Sequence, residues 1–373
     1  VKLAGLRVVD LSLFLPGPYL TRLMADHGAE VIKVEPPGGG DPTRQLGAAD
    51  GPSTVYFRGL NRGKKSVVLD LKEPAGREAL LRLCDAADVF VESFRPGVAE
   101  RLGFGYPALA ARNPGLVYCS ISAFGQDGPY RDRPCHDLGV EAVAGVLSLS
   151  LGRDGAPAIP AIPAADLTAA LAALAGVLMA LLRRQKTGQG DYLDLSMHDA
   201  IVSAAQVILG PALAEGRQPV AREERTTGGA AFYQIYDTAD GRHIALAGQE
   251  MKFVRNLLGA LGRPELAALC ERGPGPHQQP VEAFLRETFR TKTQAEWVAF
   301  LSALDVCFGE LKTLPEALDD PHLLARGMVL ADRLGRRHVN TPIRFLREPA
   351  APDLNEPALD EHGASLRAAP GGA

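Results

Sequence analysis

Leu6-Arg7-Val8-Val9-Asp10-Leu11, then Pro16-Gly17-Pro18, then Ala29-Glu30-Val31-Ile32-Lys33-Val34-Glu35 decide the fold. The first run is short, apolar and β-branched, as a strand buried on both faces should be. The Pro-Gly-Pro turn leads into a helix, predicted from Tyr19 to His27 and stopped at Gly28. The third run is a second strand. A β-α-β opening predicts a parallel sheet.

The same alternation continues outward from this unit. Strands are expected at Ser66–Leu71, Asp88–Glu92 and Leu116–Ile121, with a helix from Glu73 to Ala87. The fold class is therefore α/β. The first turn carries Leu15-Pro16-Gly17-Pro18 and lacks GxGxxG, so a pyrophosphate has no close backbone approach there. Nicotinamide binding is excluded on that ground, although Glu35 closes the second strand where a ribose-binding acid would stand. Gly38-Gly39-Gly40-Asp41 lacks the GxxxxGK[ST] pattern and reads as a flexible connection. Ligands of open parallel sheets gather at the carboxyl ends of the strands. Lys64, Lys65, Lys72, Arg95 and Arg101 are expected to line that edge and to suit a polyanionic ligand.

A second landmark runs from Pro134 to Gly190. It contains Cys135-His136-Asp137 and Ala164-Ala165-Asp166, then an Ala/Leu helix ending in Arg183-Arg184-Gln185-Lys186-Thr187-Gly188. Asp166 reads as the N-cap of that helix, and Gly188 as its stop. The apolar part, Leu167 to Leu182, falls short of the roughly 20 residues a membrane span needs, so a buried helix is expected. Tyr192–Ser196 reads as a strand and His198–Val207 as a helix.

The pattern then changes. Phe232–Tyr236 and His243–Ala247 flank Asp240-Gly241, a hairpin signal. Helices follow at Lys252–Leu261, Pro280–Phe289 and Gln294–Leu304. The predicted organisation is a large domain over 1–200, a linker over 201–228, a smaller α+β domain over 229–320, and a returning C-terminal segment over 321–373. The last of these ends in low-complexity Ala, Gly and Pro.

Composition bounds the function. The 373 residues are 46% hydrophobic with a net charge of −4, enough for a sizeable core and without the basic runs of a nucleic-acid binder. Five cysteines lack CxxC spacing, which points to a reducing compartment and to no structural zinc. The start reads as a strand and not as a signal peptide, so a cytoplasmic location is expected, with no membrane partner.

Several motifs in fixed order resemble the class III CoA-transferase (CaiB/BaiF) and α-methylacyl-CoA racemase family. They include Leu23-Met24-Ala25-Asp26-His27-Gly28-Ala29-Glu30, Asn61-Arg62-Gly63-Lys64-Lys65-Ser66 and Leu69-Asp70-Leu71-Lys72. Ser93-Phe94-Arg95-Pro96-Gly97, Phe124-Gly125-Gln126-Asp127-Gly128-Pro129, Lys186-Thr187-Gly188-Gln189-Gly190 and the hairpin Tyr236-Asp237-Thr238-Ala239-Asp240-Gly241 follow. The resemblance implies a Rossmann-like large domain, a smaller domain, and a homodimer whose chains interlock like rings. It implies an acyl-CoA thioester as substrate and no separate cofactor. Leu69, Lys72, Arg95 and Arg101 match positions that hold the CoA nucleotide, while Pro36 stands where relatives often carry an arginine.

Within that family Asp166 matches the carboxylate of both branches, nucleophile in transferases and acid/base in racemases. Cys135-His136-Asp137 and Gln249-Glu250 match the racemase branch, where the histidine is the opposing base and the glutamate orients it. Asp137 is a candidate supporting residue. Leu15 replaces the transferases' active-site glutamine. Cys135, Leu138-Gly139-Val140 and Leu167-Thr168-Ala169-Ala170 depart from the racemase pattern and would reshape the acyl pocket. The resemblance thus implies a 2-methylacyl-CoA racemase working through an enolate. CoA transfer through an Asp166 acyl anhydride is the alternative, and non-catalytic acyl-CoA binding a third. Backbone N–H groups at the start of the Asp166 helix are the expected holders of the enolate oxygen.

Overall fold

The computed structural model describes residues 1–152 and 154–368, and the terminal Ala/Gly/Pro stretch beyond lies outside the described residues. The chain divides into two compact units. The first comprises Val1–Ala144, Pro160–Ala204 and the chain from Pro321 onward. The second comprises Gly145–Ile159 and Ala205–Asp320. Gly145–Ile159, counted with the large domain from sequence, thus belongs to the second unit. Most of the expected linker over 201–228 belongs there too.

The first unit is built on six strands: β1 (Arg7–Asp10), β2 (Glu30–Glu35), β3 (Lys65–Val68), β4 (Val89–Glu92), β5 (Val117–Ser122) and β6 (Asp191–Ser196). All neighbours pair in parallel, in the order β3-β2-β1-β4-β5-β6. That is the doubly wound order, whose ligand crevice opens where the winding reverses, between β1 and β4. Its helices up to Ala204 are α1 (Pro16–Asp26), α2 (Val55–Asn61), α3 (Pro74–Asp85), α4 (Val98–Leu102), α5 (Tyr106–Arg112), α6 (Asp137–Val143), α7 (Ala164–Thr187) and α8 (Met197–Ala204). Val9, Ile32, Val67, Leu80, Phe90, Phe104 and Tyr118 are buried in one core cluster between sheet and helices. Runs such as Val8-Val9 and Val31-Ile32 are inaccessible throughout, as strands covered on both faces require.

Polar residues in this core are paired. Lys64 is buried and bonds Asp10, Thr21 and Asn61. The charges of Lys64 and Lys33, with hydrogen bonds from Ser12 and Thr21, hold the Asp10 carboxyl down at about 2 against the opposing effect of its burial. Lys65 opens β3 and pairs with Glu30, the first residue of β2. One ammonium is therefore committed to the core and the other to the amino end of the sheet. The expected place of both lysines at the ligand edge is corrected, because the strand that they lead into ends only at Val68. The Gly38–Asp41 connection is anchored at its last residue. Asp41 pairs with Lys33 at 2.8 Å, both side chains being buried, and accepts from the Thr43 N–H.

The last part of the chain covers the outer edge of β3. Asp360 accepts the Val68 N–H at 2.8 Å, and the His362 N–H reaches the Ser66 carbonyl at 3.0 Å. An edge strand left open would invite pairing with other chains.

α7 differs from expectation in two ways. It starts at Ala164, so Pro163 is the N-cap and Asp166 lies within the first turn. It has 24 residues and holds an 18-residue window apolar enough to cross a membrane by length and composition, and 33% of that window is buried. Ala165, Ala169, Ala173, Val177 and Leu181 face the core. Leu171, Leu178, Met179 and Leu182 form an exposed stripe on the other side, at 50%, 38%, 68% and 63% exposure. The expected buried helix is corrected to one with a single buried face.

The second unit carries α9 (Gly210–Glu215), the hairpin β7 (Tyr233–Asp237) and β8 (His243–Ala247), and helices α10 (Met251–Ala260), α11 (Ala267–Cys270), α12 (Gln279–Phe289) and α13 (Gln294–Ser302). A strand unforeseen from sequence, β9 (Phe308–Glu310), pairs antiparallel with β8. At three residues, it is too short to show an alternating pattern. The helices bury Val254, Leu257, Leu285, Phe289 and Trp297 with Tyr236 and Ile244 of the hairpin. The unit is α+β.

Candidate active site

His136 and Asp166 stand at the starts of two helices of the first unit. His136 is the N-cap of α6, and Asp166 is the third residue of α7. Two carboxylates on α6, one turn apart, tie these helix starts together. Asp137 accepts the Asp166 N–H at 3.0 Å, and Glu141 accepts the Ala164 N–H at 3.0 Å. The opening N–H groups of a helix have no partner within it, so side-chain acceptors stabilise the α7 start. The chain enters α7 from Pro163, which offers no capping side chain. The cap comes instead from residues more than twenty positions upstream.

The arrangement loads one small region with negative charge. Asp166 is mostly withdrawn from water and faces the carboxyl groups of Asp137 and Glu141. Burial first, then those two charges, pushes its carboxyl up to about 7. Glu141 is itself raised, mainly by burial. A carboxyl with that proton affinity exchanges protons readily at neutral pH. Tyr56 on α2 lies in the field of the same group. Burial and the Asp166 charge raise its hydroxyl to about 12, so it remains a protonated donor.

His136 is solvent-exposed, with the Phe14 ring edge-on to it at 6.3 Å between centroids. Phe14 has φ of +63°, an uncommon conformation for a bulky residue, in the turn that follows β1. The N–H groups of Ala164 and Asp166 are already committed to Glu141 and Asp137. The expectation that they hold an enolate oxygen is corrected accordingly: they serve the carboxylates that set the charge of Asp166.

The remaining candidates fall in separate places. Glu250 is exposed, at the N-cap of α10 in the second unit, so it is not part of the first unit's helix-start cluster. Leu69 is buried directly after β3, and Lys72 is exposed three residues on. Arg95 and Arg101 are exposed after β4, one beyond the strand end and one on α4. These four stand beyond the carboxyl ends of β3 and β4, on the ligand side of a doubly wound sheet. Glu35 is unavailable to a ribose, since it is bonded to Arg44, Ser66 and the Asp41 N–H.

Sequence reasoning missed two contributors. Glu141 reads as an ordinary helix residue, and its only signal is the i, i+4 spacing from Asp137 on an otherwise apolar segment. Tyr56 follows Ser53-Thr54-Val55 with nothing to mark it.

The chain is 34% identical to an acetyl-CoA:oxalate CoA-transferase of Acetobacter aceti, over 97% of this chain and 94% of that one. It is 33% identical to the human alpha-methylacyl-CoA racemase, over 98% and 94% of the two chains. The crystal structure of a CAIB/BAIF family protein from Brucella suis superposes with a TM-score of 0.85 at 32% identity, covering 99% of both chains. The family model for CoA-transferase family III matches residues 3–363, and the chain belongs to that family.

Proposed function

We propose that this chain interconverts the (R) and (S) forms of a 2-methylacyl-CoA by 1,1-proton transfer. The observation that carries this reading is the Asp166 carboxyl, raised to about 7 at a helix start tied to that of His136. Racemisation needs a base on one face of the α-carbon and an acid on the other. Each must change role with direction, which favours groups with proton affinities near working pH. An imidazole and a carboxyl raised to about 7 are groups of that kind.

In one direction Asp166 takes the α-proton. The C–H electron pair moves into the C–C bond of an enolate, and negative charge goes to the thioester oxygen. Protonated His136 then delivers its proton to the opposite face of the same carbon. The reverse reaction exchanges the roles. Tyr56, protonated and in the field of Asp166, is the donor we assign to the enolate oxygen. Leu69, Lys72, Arg95 and Arg101 are assigned to the CoA nucleotide. No further cofactor enters the mechanism, which we assign to a cytoplasmic homodimer.

CoA transfer is the second reading, favoured by relatives of near-equal identity that are named as transferases. There ionised Asp166 would attack the thioester carbonyl, expel CoA thiolate and form a mixed anhydride.

Incubation of a single 2-methylacyl-CoA stereoisomer in D₂O tests the choice. Racemisation predicts deuterium at Cα with loss of stereochemical purity, and loss of both in His136→Ala. Transfer of CoA to an added carboxylic acid without deuterium uptake, persisting in His136→Ala, would overturn it.

A further inference from the structure

We infer that Arg131 joins Arg101 across Gly97 to form an anion site for a phosphate of the substrate's nucleotide end. The inference rests on the acyl-CoA reading and deepens it, since Arg131 matches none of the nucleotide positions assigned above. Gly97 follows β4 and starts α4 with φ of +80°. A β-carbon placed there would lie 3.3 Å from Arg101 Nη1 and 3.3 Å from Arg131 Nη2. The two nitrogens are therefore no more than twice that distance apart, within reach of different oxygens of one phosphate. No side chain stands between them at Gly97, because the residue at the centre is glycine.

The charges around this point leave room for an anion. Arg131 Nη1 meets the exposed Asp132 at 2.9 Å, and its Nε donates to the Gln126 carbonyl at 2.8 Å. Nη2 faces Gly97. The neighbouring acid on α4, Glu100, packs its side chain against Gly105 instead of turning to this point. Two guanidinium groups converging without an acid between them repel each other, and a bound phosphate removes that cost.

The loop that delivers Arg131 is anchored. Gln126 donates its N–H to Asp194 at 3.0 Å and its side-chain amide to Ser120 at 2.9 Å. Gly125 donates to Ser122 at 3.0 Å. The Phe124–Pro129 motif is thus pinned to the ends of β5 and β6. From there it carries a cation toward the end of β4, beside the crevice where the winding reverses.

Calorimetric titration of the full chain with CoA, dephospho-CoA and pantetheine tests this. Arg131→Gln should weaken CoA about tenfold, a typical loss for one charge-assisted phosphate contact, and leave pantetheine unchanged. Gly97→Ala, which crowds both guanidinium groups, should weaken CoA as well, with thermal melting used to verify its fold. If the Arg131→Gln loss disappears with dephospho-CoA, the bound group is the 3′-phosphate. If it persists, the group is the diphosphate, and either result supports the site. Unchanged CoA affinity in Arg131→Gln beside a binding wild type overturns this inference alone. A wild type that binds no CoA overturns the acyl-CoA reading and the site together.

Discussion

The Asp137 carboxylate accepts the backbone N–H of Asp166 at 3.0 Å and at the same time repels its side chain. One residue both caps the helix and raises the proton affinity of the group it caps. The rate profile should report this. Each direction needs one proton on the Asp166–His136 pair, and the ratio of the two kcat/KM values is the equilibrium constant of the two stereoisomers, so both directions should share one pH profile with an Asp166 limb near 7. Asp137→Asn keeps an acceptor but removes the charge, so that limb should move to lower pH. It should remain above 3.8, because burial contributes more to the shift than Asp137 does. A limb that stays in place would mean that Asp137 does not act on Asp166.

The same raised carboxyl has a consequence for stability. A group that binds its proton more tightly when folded contributes stability below its unfolded pKa, near 3.8, and loses it as pH rises through about 7. Above neutrality an ionised Asp166 opposes folding. Asp166→Asn should therefore be inactive yet more stable than wild type at pH 8, by on the order of 1–2 kcal/mol after allowing for partial solvent screening. The difference should shrink on lowering the pH toward 5. Thermal melting at the two pH values measures it, and a less stable variant at pH 8 would contradict the electrostatic account.

How much of this is legible in the sequence follows from the range of each interaction. Val8-Val9 and Val31-Ile32 announce buried strands because their pattern is local, and the winding of the sheet follows from the β-α alternation. Asp166 and His136 stand out through their place in family motifs. The cap on α7 misleads: a helix start with Asp nearby suggests Asp166 itself, whereas the acceptors are Asp137 and Glu141, which only the folded chain brings there. Lys64 and Lys65 look like ligand-edge cations until Asp10 and Glu30, far away in the chain, are seen to claim them. The three-residue β9 carries too little pattern to be seen before β8 is in place beside it.

Glu141 separates capping from charge. Glu141→Gln retains an acceptor for the Ala164 N–H while removing a neighbour that repels Asp166. Glu141→Ala removes both. Loss of a helix-start acceptor costs about 0.5–2 kcal/mol, so Glu141→Ala should be the less stable of the two by roughly that amount. Both should lower the pH of the Asp166 limb. Equal melting temperatures for the two variants would show that the contact carries no stability.

The exposed face of α7 supports the assigned homodimer. Leu171, Leu178, Met179 and Leu182 recur at helical spacing and leave one apolar stripe uncovered in the single chain. Covering the exposed part of each side chain favours association, by less than the about 1.5–3 kcal/mol of burying a fully exposed one. A second copy is the occupant we assign, because charged Arg183, Arg184 and Lys186 bound the stripe at one end and Asp166 lies in the first turn at the other. Replacing Leu178 and Met179 with lysine should convert a dimer to monomer in light scattering at micromolar concentration. Since Ala165, Ala169 and Val177 on the opposite face remain untouched, the monomer should keep its helical content by circular dichroism. A wild-type chain that is monomeric, or that partitions onto lipid vesicles through this stripe, would refute the assignment.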